Sequence, residues 1–205
     1  MITKDQYLAN PCRESSIPYW KLKAITMPEE IRIIHNDYFN ELEYHQYIDE
    51  PYFRLYHDLQ NLPFPQIPEG FLLCDITLKD YADHINRCYA DLCISESELY
   101  GYTMRQVYNS ELWIAVKNEQ SETIAATGIA ELDQEIGEGV LEWIQVSEEY
   151  RGCGLGSFVS ELLRRMRSLA SFVTVSGQSN NLTNPERLYR KCGFTGTDVW
   201  HILRK

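Results

Sequence analysis

A chain of 205 residues, 44% hydrophobic and 24% charged, is long enough for one well-buried core, or for one core and a small accessory unit. Its 19 Lys and Arg against 30 Asp and Glu leave a net charge of −11, which argues against neutralising nucleic-acid phosphates and is compatible with cationic substrates; solubility alone is the plainer account of it. The start Met1-Ile2-Thr3-Lys4-Asp5 has no charged region followed by an apolar run, and nothing approaches the ~18 apolar residues of a membrane helix, so a cytoplasmic protein without membrane contact is expected.

The first segment is rich in Tyr and acids. Ile31 to Ile34 reads as a strand, and Tyr52 to Tyr56 alternates weakly. The break Leu62-Pro63-Phe64-Pro65-Gln66-Ile67-Pro68-Glu69-Gly70 forbids regular helix and divides the chain into residues 1–70, an accessory segment expected to dock on the main domain, and residues 71–205. Phe71 to Ile76 is a strand. Thr77 with Asp80, and Ser95 with Glu98, have the spacing of helix starts. Leu112 to Val116 and Thr123 to Leu132 are strands joined by a polar turn, and Val140 to Val146 is a third.

A glycine loop follows, Arg151-Gly152-Cys153-Gly154-Leu155-Gly156, and then the strongest helix. Leu155, Phe158, Val159, Leu162, Leu163, Met166 and Leu169 form one apolar stripe. Ser171 to Ser176 is a β-branched strand. Asn184-Pro185 supplies a cap and a first-turn proline for a short helix that stops before Gly193. Two final strands are expected at Phe194-Thr195 and Val199 to Leu203. The order is mixed α+β, with strand, glycine loop and helix at its centre.

A strand that delivers glycines into a helix N-terminus suits an anion, because first-turn N–H groups are unpaired and glycine lets a ligand approach the backbone. A Walker A loop would need Lys before its hydroxyl residue, yet Ser157 follows Gly156 directly. A dinucleotide fingerprint would need a third glycine where Ser157 stands, and an acid where Ser176-Gly177 stand. A turn needed only for strand-to-helix geometry is the plain alternative.

Tyr150-Arg151-Gly152-Cys153-Gly154-Leu155-Gly156 resembles the Arg/Gln-x-x-Gly-x-Gly/Ala signature of the GNAT superfamily of acetyl-CoA-dependent N-acetyltransferases. Ile144 to Glu149 looks like its fourth core strand and turn, and Leu188-Tyr189-Arg190-Lys191-Cys192-Gly193-Phe194 is similar to its closing motif. The resemblance covers roughly residues 71–204. It implies a central mixed, mostly antiparallel sheet with splayed strands, flanked by helices.

It also implies acetyl-CoA as co-substrate, without a metal. Backbone groups of Ile144, Gln145 and Val146 would bind pantetheine, and those of Arg151, Gly152, Cys153, Gly154, Leu155 and Gly156, with Ser157, would hold the pyrophosphate. Tyr189 stands where the family often has the general acid. The base would be Glu142 or Glu138; alternation sets Val140, Glu142, Ile144 and Val146 on one face. Asn181 would touch the cofactor, although the usual spacing to the tyrosine falls on Leu182; Asn184 is a second contact and also explains itself as a helix cap. The acceptor would be a primary amine on a small molecule or peptide, and a homodimer is possible. A non-catalytic acyl-CoA-binding module is the rival reading.

The remaining reactive side chains give less. The six cysteines form no CxxC pair and have no zinc-type histidine spacing, which suits reduced thiols. His35, His45, His57, His84 and His201 lie far apart, so satisfied or surface histidines are expected.

Overall fold

The computed structural model describes residues 2–62, 64, 67–89 and 92–205, so Pro63, Pro65 and Gln66 of the proline-rich break lie outside the described residues. The first elements are helices α1 (Lys4–Ala9), α2 (Pro11–Glu14) and α3 (Tyr19–Ala24), strand β1 (Ile31–His35), helix α4 (Glu41–Tyr44) and strand β2 (Ile48–His57). Then come β3 (Phe71–Cys74), α5 (Leu78–Cys88), α6 (Glu96–Thr103), β4 (Trp113–Asn118), β5 (Ile124–Asp133) and β6 (Glu138–Val146). The chain ends with α7 (Phe158–Met166), β7 (Phe172–Gln178), α8 (Pro185–Lys191) and β8 (Thr195–Arg204). No described helix is long and apolar enough to cross a membrane.

Two compact units result. One is Leu59–Ser171; the other joins Met1–Asp58 to Phe172–Lys205.

In the Leu59–Ser171 unit the strands pair antiparallel, β3 with β4, β4 with β5 and β5 with β6. Both expected capping boxes form. The Thr77 N–H donates to Asp80 Oδ2 at 3.0 Å and the Asp80 N–H returns to Thr77 Oγ1 at 3.2 Å; Ser95 and Glu98 repeat the exchange at 2.7 and 3.2 Å. Each box satisfies orphan N–H groups at a helix start and is worth about 1 kcal/mol. Helices α5 and α6 cover one face of the sheet, where Tyr81, Ile85, Leu99, Ala115 and Ile129 form a buried cluster.

The other face receives α7, through Phe158 and Leu162. At Gly128 a Cβ would come within 2.7 Å of Phe158 Cε2 and 3.0 Å of Leu162 Cδ1, so glycine is what lets the helix approach. The helix stops at Met166, and Leu169, the last position of the expected stripe, is 44% exposed.

One expectation about β6 fails. Gly128 pairs with Ile144 and Ile129 with Trp143, but Ala130 pairs with Leu141, so the register shifts by one residue at a bulge that holds Glu142. The bulge shifts the alternation. Val140, opposite Glu131, lies on the α5–α6 side with Ile129, whereas Ile144, opposite Gly128, lies on the α7 side. Val140 and Ile144 therefore face opposite ways.

The second unit is also antiparallel, with β1 on β8, β8 on β2 and β2 on β7. The two short strands expected at the end are one strand, β8. Its register to β2 shifts between Arg54 and Tyr56, and Gly196, at φ +114°, takes up the irregularity instead of ending the strand. The amino-terminal helices are fastened by Arg54, which is 1% exposed. Its guanidinium donates to the Tyr7 hydroxyl at 2.8 Å, to Pro11 O at 3.4 Å, to Ser16 O at 3.3 Å, and to the hydroxyls of Ser176 at 3.2 Å and Thr174 at 3.4 Å. Trp200 Nε1 adds a bond to Cys12 O at 2.8 Å. At the end of α8, Gly193 takes φ +99°, as its place after the helix requires.

Candidate functional site

The glycine loop lies in the Leu59–Ser171 unit, between β6 and α7, and its approach is pinned from several sides. The Ser147 N–H donates to Ala125 O at 2.9 Å, and the Tyr150 hydroxyl bonds Thr123 Oγ1 at 2.7 Å while its ring meets Phe71 edge-on at 5.5 Å. Gly152 and Gly154 then turn through the left-handed region at φ +83° and +80°. A Cβ at Gly152 would meet nothing within 4 Å, so the glycine there serves backbone conformation and leaves open space above it.

This conformation leaves donors unused. Within the loop the N–H groups of Arg151, Cys153 and Ser157 go to Glu148, Tyr150 and Gly154 carbonyls. Among the described residues, those of Gly152, Gly154, Leu155 and Gly156 donate no hydrogen bond. Four N–H groups near the head of a nine-residue helix, beside exposed Arg151 and Cys153, are donors of the kind that a phosphate or pyrophosphate accepts from.

Strand β6 leads into this loop with its side chains committed elsewhere. Gln145 is 5% exposed and donates its amide to Thr127 Oγ1, and Ile144 points toward α7. Glu138 is fully buried, opposite Asp133 and on the same face as Glu131, whereas Glu142 sits half-buried in the bulge. Glu131 is bound by Arg105 Nη1 at 2.6 Å.

The other candidates belong to the second unit. Tyr189 is 6% exposed, with its ring 6.1 Å from Phe53 and 5.7 Å from Phe194. Asn181 turns its Oδ1 back on Thr183, accepting from the N–H at 2.9 Å and from the hydroxyl at 2.8 Å. Asn184 caps α8, accepting from the Arg187 N–H at 3.3 Å from a left-handed conformation of φ +48°. Both asparagines thus shape the turn before α8.

Two residues that hold the site escaped sequence reasoning, Ser147 and His84. The position of His84 on the apolar face of α5, three and four residues from Tyr81 and Cys88, was the available signal. Among the described residues no group of three or more His, Cys, Asp or Glu is placed to hold a metal ion.

Residues 108–196 match the acetyltransferase (GNAT) domain family. A GCN5-related N-acetyltransferase from Sphaerobacter thermophilus superposes with a TM-score of 0.69 at 21% identity, over 87% of this chain and 61% of that one. A GCN5-related N-acetyltransferase from Kribbella flavida gives 0.53 at 14%, over 85% and 67%. Ard1 from Thermoplasma volcanium gives 0.53 at 13%, over 66% and 97%. At such identities the likeness is one of fold, and the chain spans about three fifths of the length of the Sphaerobacter structure. No curated protein matches in sequence. Residues 108–196 are thus similar to a GNAT acetyltransferase domain, and the fold is an α+β one of mostly antiparallel strands flanked by helices.

Proposed function

We propose that the chain is an N-acetyltransferase that moves an acetyl group from acetyl-CoA to a primary amine on a small molecule or peptide. The observation that carries this reading is the set of four free N–H groups, of Gly152, Gly154, Leu155 and Gly156, at the head of α7. They would hold the pyrophosphate with Arg151, and the main chain of Ile144 to Val146 would take the pantetheine arm. Acetyl-CoA supplies the acyl group as a thioester; its C–S bond breaks as the C–N bond forms. Two protons must then move. A carboxylate, Glu142 or Glu138, takes the proton that the attacking amine loses, and the Tyr189 hydroxyl gives one to the departing sulfur. The net charge of −11 favours a cationic acceptor, whose ammonium must lose a proton before it attacks.

Burial of Tyr189 between Phe53 and Phe194 supports the second reading, an acyl-CoA-binding module without catalysis. Thermal unfolding with and without CoA tests the common part. CoA should raise Tm, and Gly154→Glu should abolish the rise, because it sets a negative charge against the anion in a left-handed residue. An undiminished rise in that variant takes the loop out of the site. Release of free thiol from acetyl-CoA in the presence of amines then separates the enzyme from the module.

A further inference from the structure

His84 lies on α5 with no exposed surface, and neither proton transfer in the proposed reaction uses it. Its ring joins three segments. Nδ1 is 2.8 Å from Thr127 Oγ1 on β5, and Nε2 is 2.9 Å from Ser147 Oγ, one residue past the end of β6. The Ser147 hydroxyl donates to Ile124 O at 3.2 Å. Having spent its proton there, it accepts from His84 Nε2–H, which leaves Nδ1 to accept from the Thr127 hydroxyl. Thr127 in turn accepts from the Gln145 amide. The chain runs Gln145, Thr127, His84, Ser147, Ile124, with the hydroxyl of Thr127 on one ring nitrogen and that of Ser147 on the other, where the Cys88 sulfur also lies at 3.7 Å. The ring is the neutral one, in the form protonated at Nε2. The buried surroundings favour the same state and push His84 down to about 4, with Arg87 adding to the effect.

Gln145 and Ser147 flank Val146 and bracket the stretch whose main chain leads into the glycine loop. The ring thus grips this stretch from both sides of Val146, at a place where alternation gives each flanking residue an inward side chain.

We infer that His84 is a positioning residue of the acyl-CoA site, a neutral imidazole that fixes Gln145 and Ser147 from beneath and so sets the backbone on which pantetheine and pyrophosphate lie. This rests on the acyl-CoA reading above. It assigns the group no contact with the ligand. A site held to a fraction of an ångström depends on such supports, and small displacements of the backbone cost binding.

The test measures CoA affinity by calorimetry, on folded protein well below Tm, for wild type, His84→Leu, His84→Gln, Ser147→Ala and Leu112→Ala. Leu112 is a fully buried residue of the same unit and serves as the control for general destabilisation. The Leu variant should bind CoA about tenfold more weakly. Glutamine, whose amide can donate to Ser147 and accept from Thr127, should recover most of that loss; Ser147→Ala should fall between; Leu112→Ala should lower Tm and leave affinity near wild type. Affinity unchanged in His84→Leu overturns the inference, as does equal weakening by Leu112→Ala. Should His84→Leu not fold, Ser147→Ala decides: wild-type affinity there overturns it. Wild-type protein that binds no CoA sinks the functional reading first, a result distinct from a bound wild type with indifferent variants.

Discussion

Arg54 Nη2 donates to the Tyr7 hydroxyl across 2.8 Å, and neither side chain has more than 1% of its surface exposed. The bond ties helix α1 to strand β2 inside one unit, where water cannot replace either partner. Removing the hydroxyl alone should therefore be costly. Tyr7→Phe is expected to lower the unfolding free energy by about 1.5–3 kcal/mol, the range for a hydrogen bond to a charged group. Arg54→Met, which strands the Pro11 and Ser16 carbonyls as well, should cost more. Urea denaturation of both single variants and the double variant provides the check. Strict additivity would show that the two side chains are not coupled.

His84 makes stability depend on pH. Its pKa is lowered from 6.5 to about 4 in the folded chain, chiefly by desolvation. Between these values the unfolded chain binds the proton and the folded chain does not, so unfolding becomes harder as pH rises and easier as it falls. The ionisable groups acting on His84 and its neighbour Cys88 are Arg87 from the same helix and Arg151 and Glu149 from the turn beyond β6. The full difference amounts to about 3 kcal/mol, present above pH ~6.5 and lost on acidification towards pH ~4. Urea midpoints from pH 4 to 7 should rise in wild type, and the rise should shrink in His84→Gln. Parallel curves would place the titrating group elsewhere.

Tyr189→Phe separates catalysis from packing, because it keeps the ring against Phe53 and Phe194 and removes one transferable proton. With an acceptor in hand, the chemical step should slow by about 10²-fold, the low end for a positioned acid, since a thiolate already leaves tolerably. CoA affinity should hold. Turnover at the wild-type rate would make the residue part of the core and leave protonation of the sulfur to water.

Sequence pattern disclosed what local chemistry controls. Thr77–Asp80 and Ser95–Glu98 are self-contained signals, three residues apart, and both form as written. The glycine loop was legible for the same reason, since left-handed turns at Gly152 and Gly154 need little else. The bulge at Glu142 was not, because the one-residue slip exists only relative to β5 and nothing in the run Leu141-Glu142-Trp143 announces it. Gly196 misled in the opposite sense. A glycine between short apolar runs reads as a break, yet here it lets one strand absorb a change of register. Ser147 and His84 stayed hidden because a hydroxyl and an imidazole 63 positions apart reveal nothing until the fold sets them 2.9 Å apart.

The pairing of β2 with β8 has a consequence for the order in which the protein can be made. Ile48 lies opposite Arg204 and Phe53 opposite Val199, so β2 waits for a strand that follows it far along the chain. During synthesis the intervening unit, Leu59–Ser171, is complete in sequence before the flanking one can close. Until then Phe53 and Leu55, both buried in the finished protein, have no sheet to enter. Contacts of such long sequence separation form slowly, and an unpaired apolar strand is exposed to wrong partners in the meantime. Deletion of Thr195–Arg204 would remove β8 and with it the strand that β1 pairs with, a lesion far larger than its length suggests.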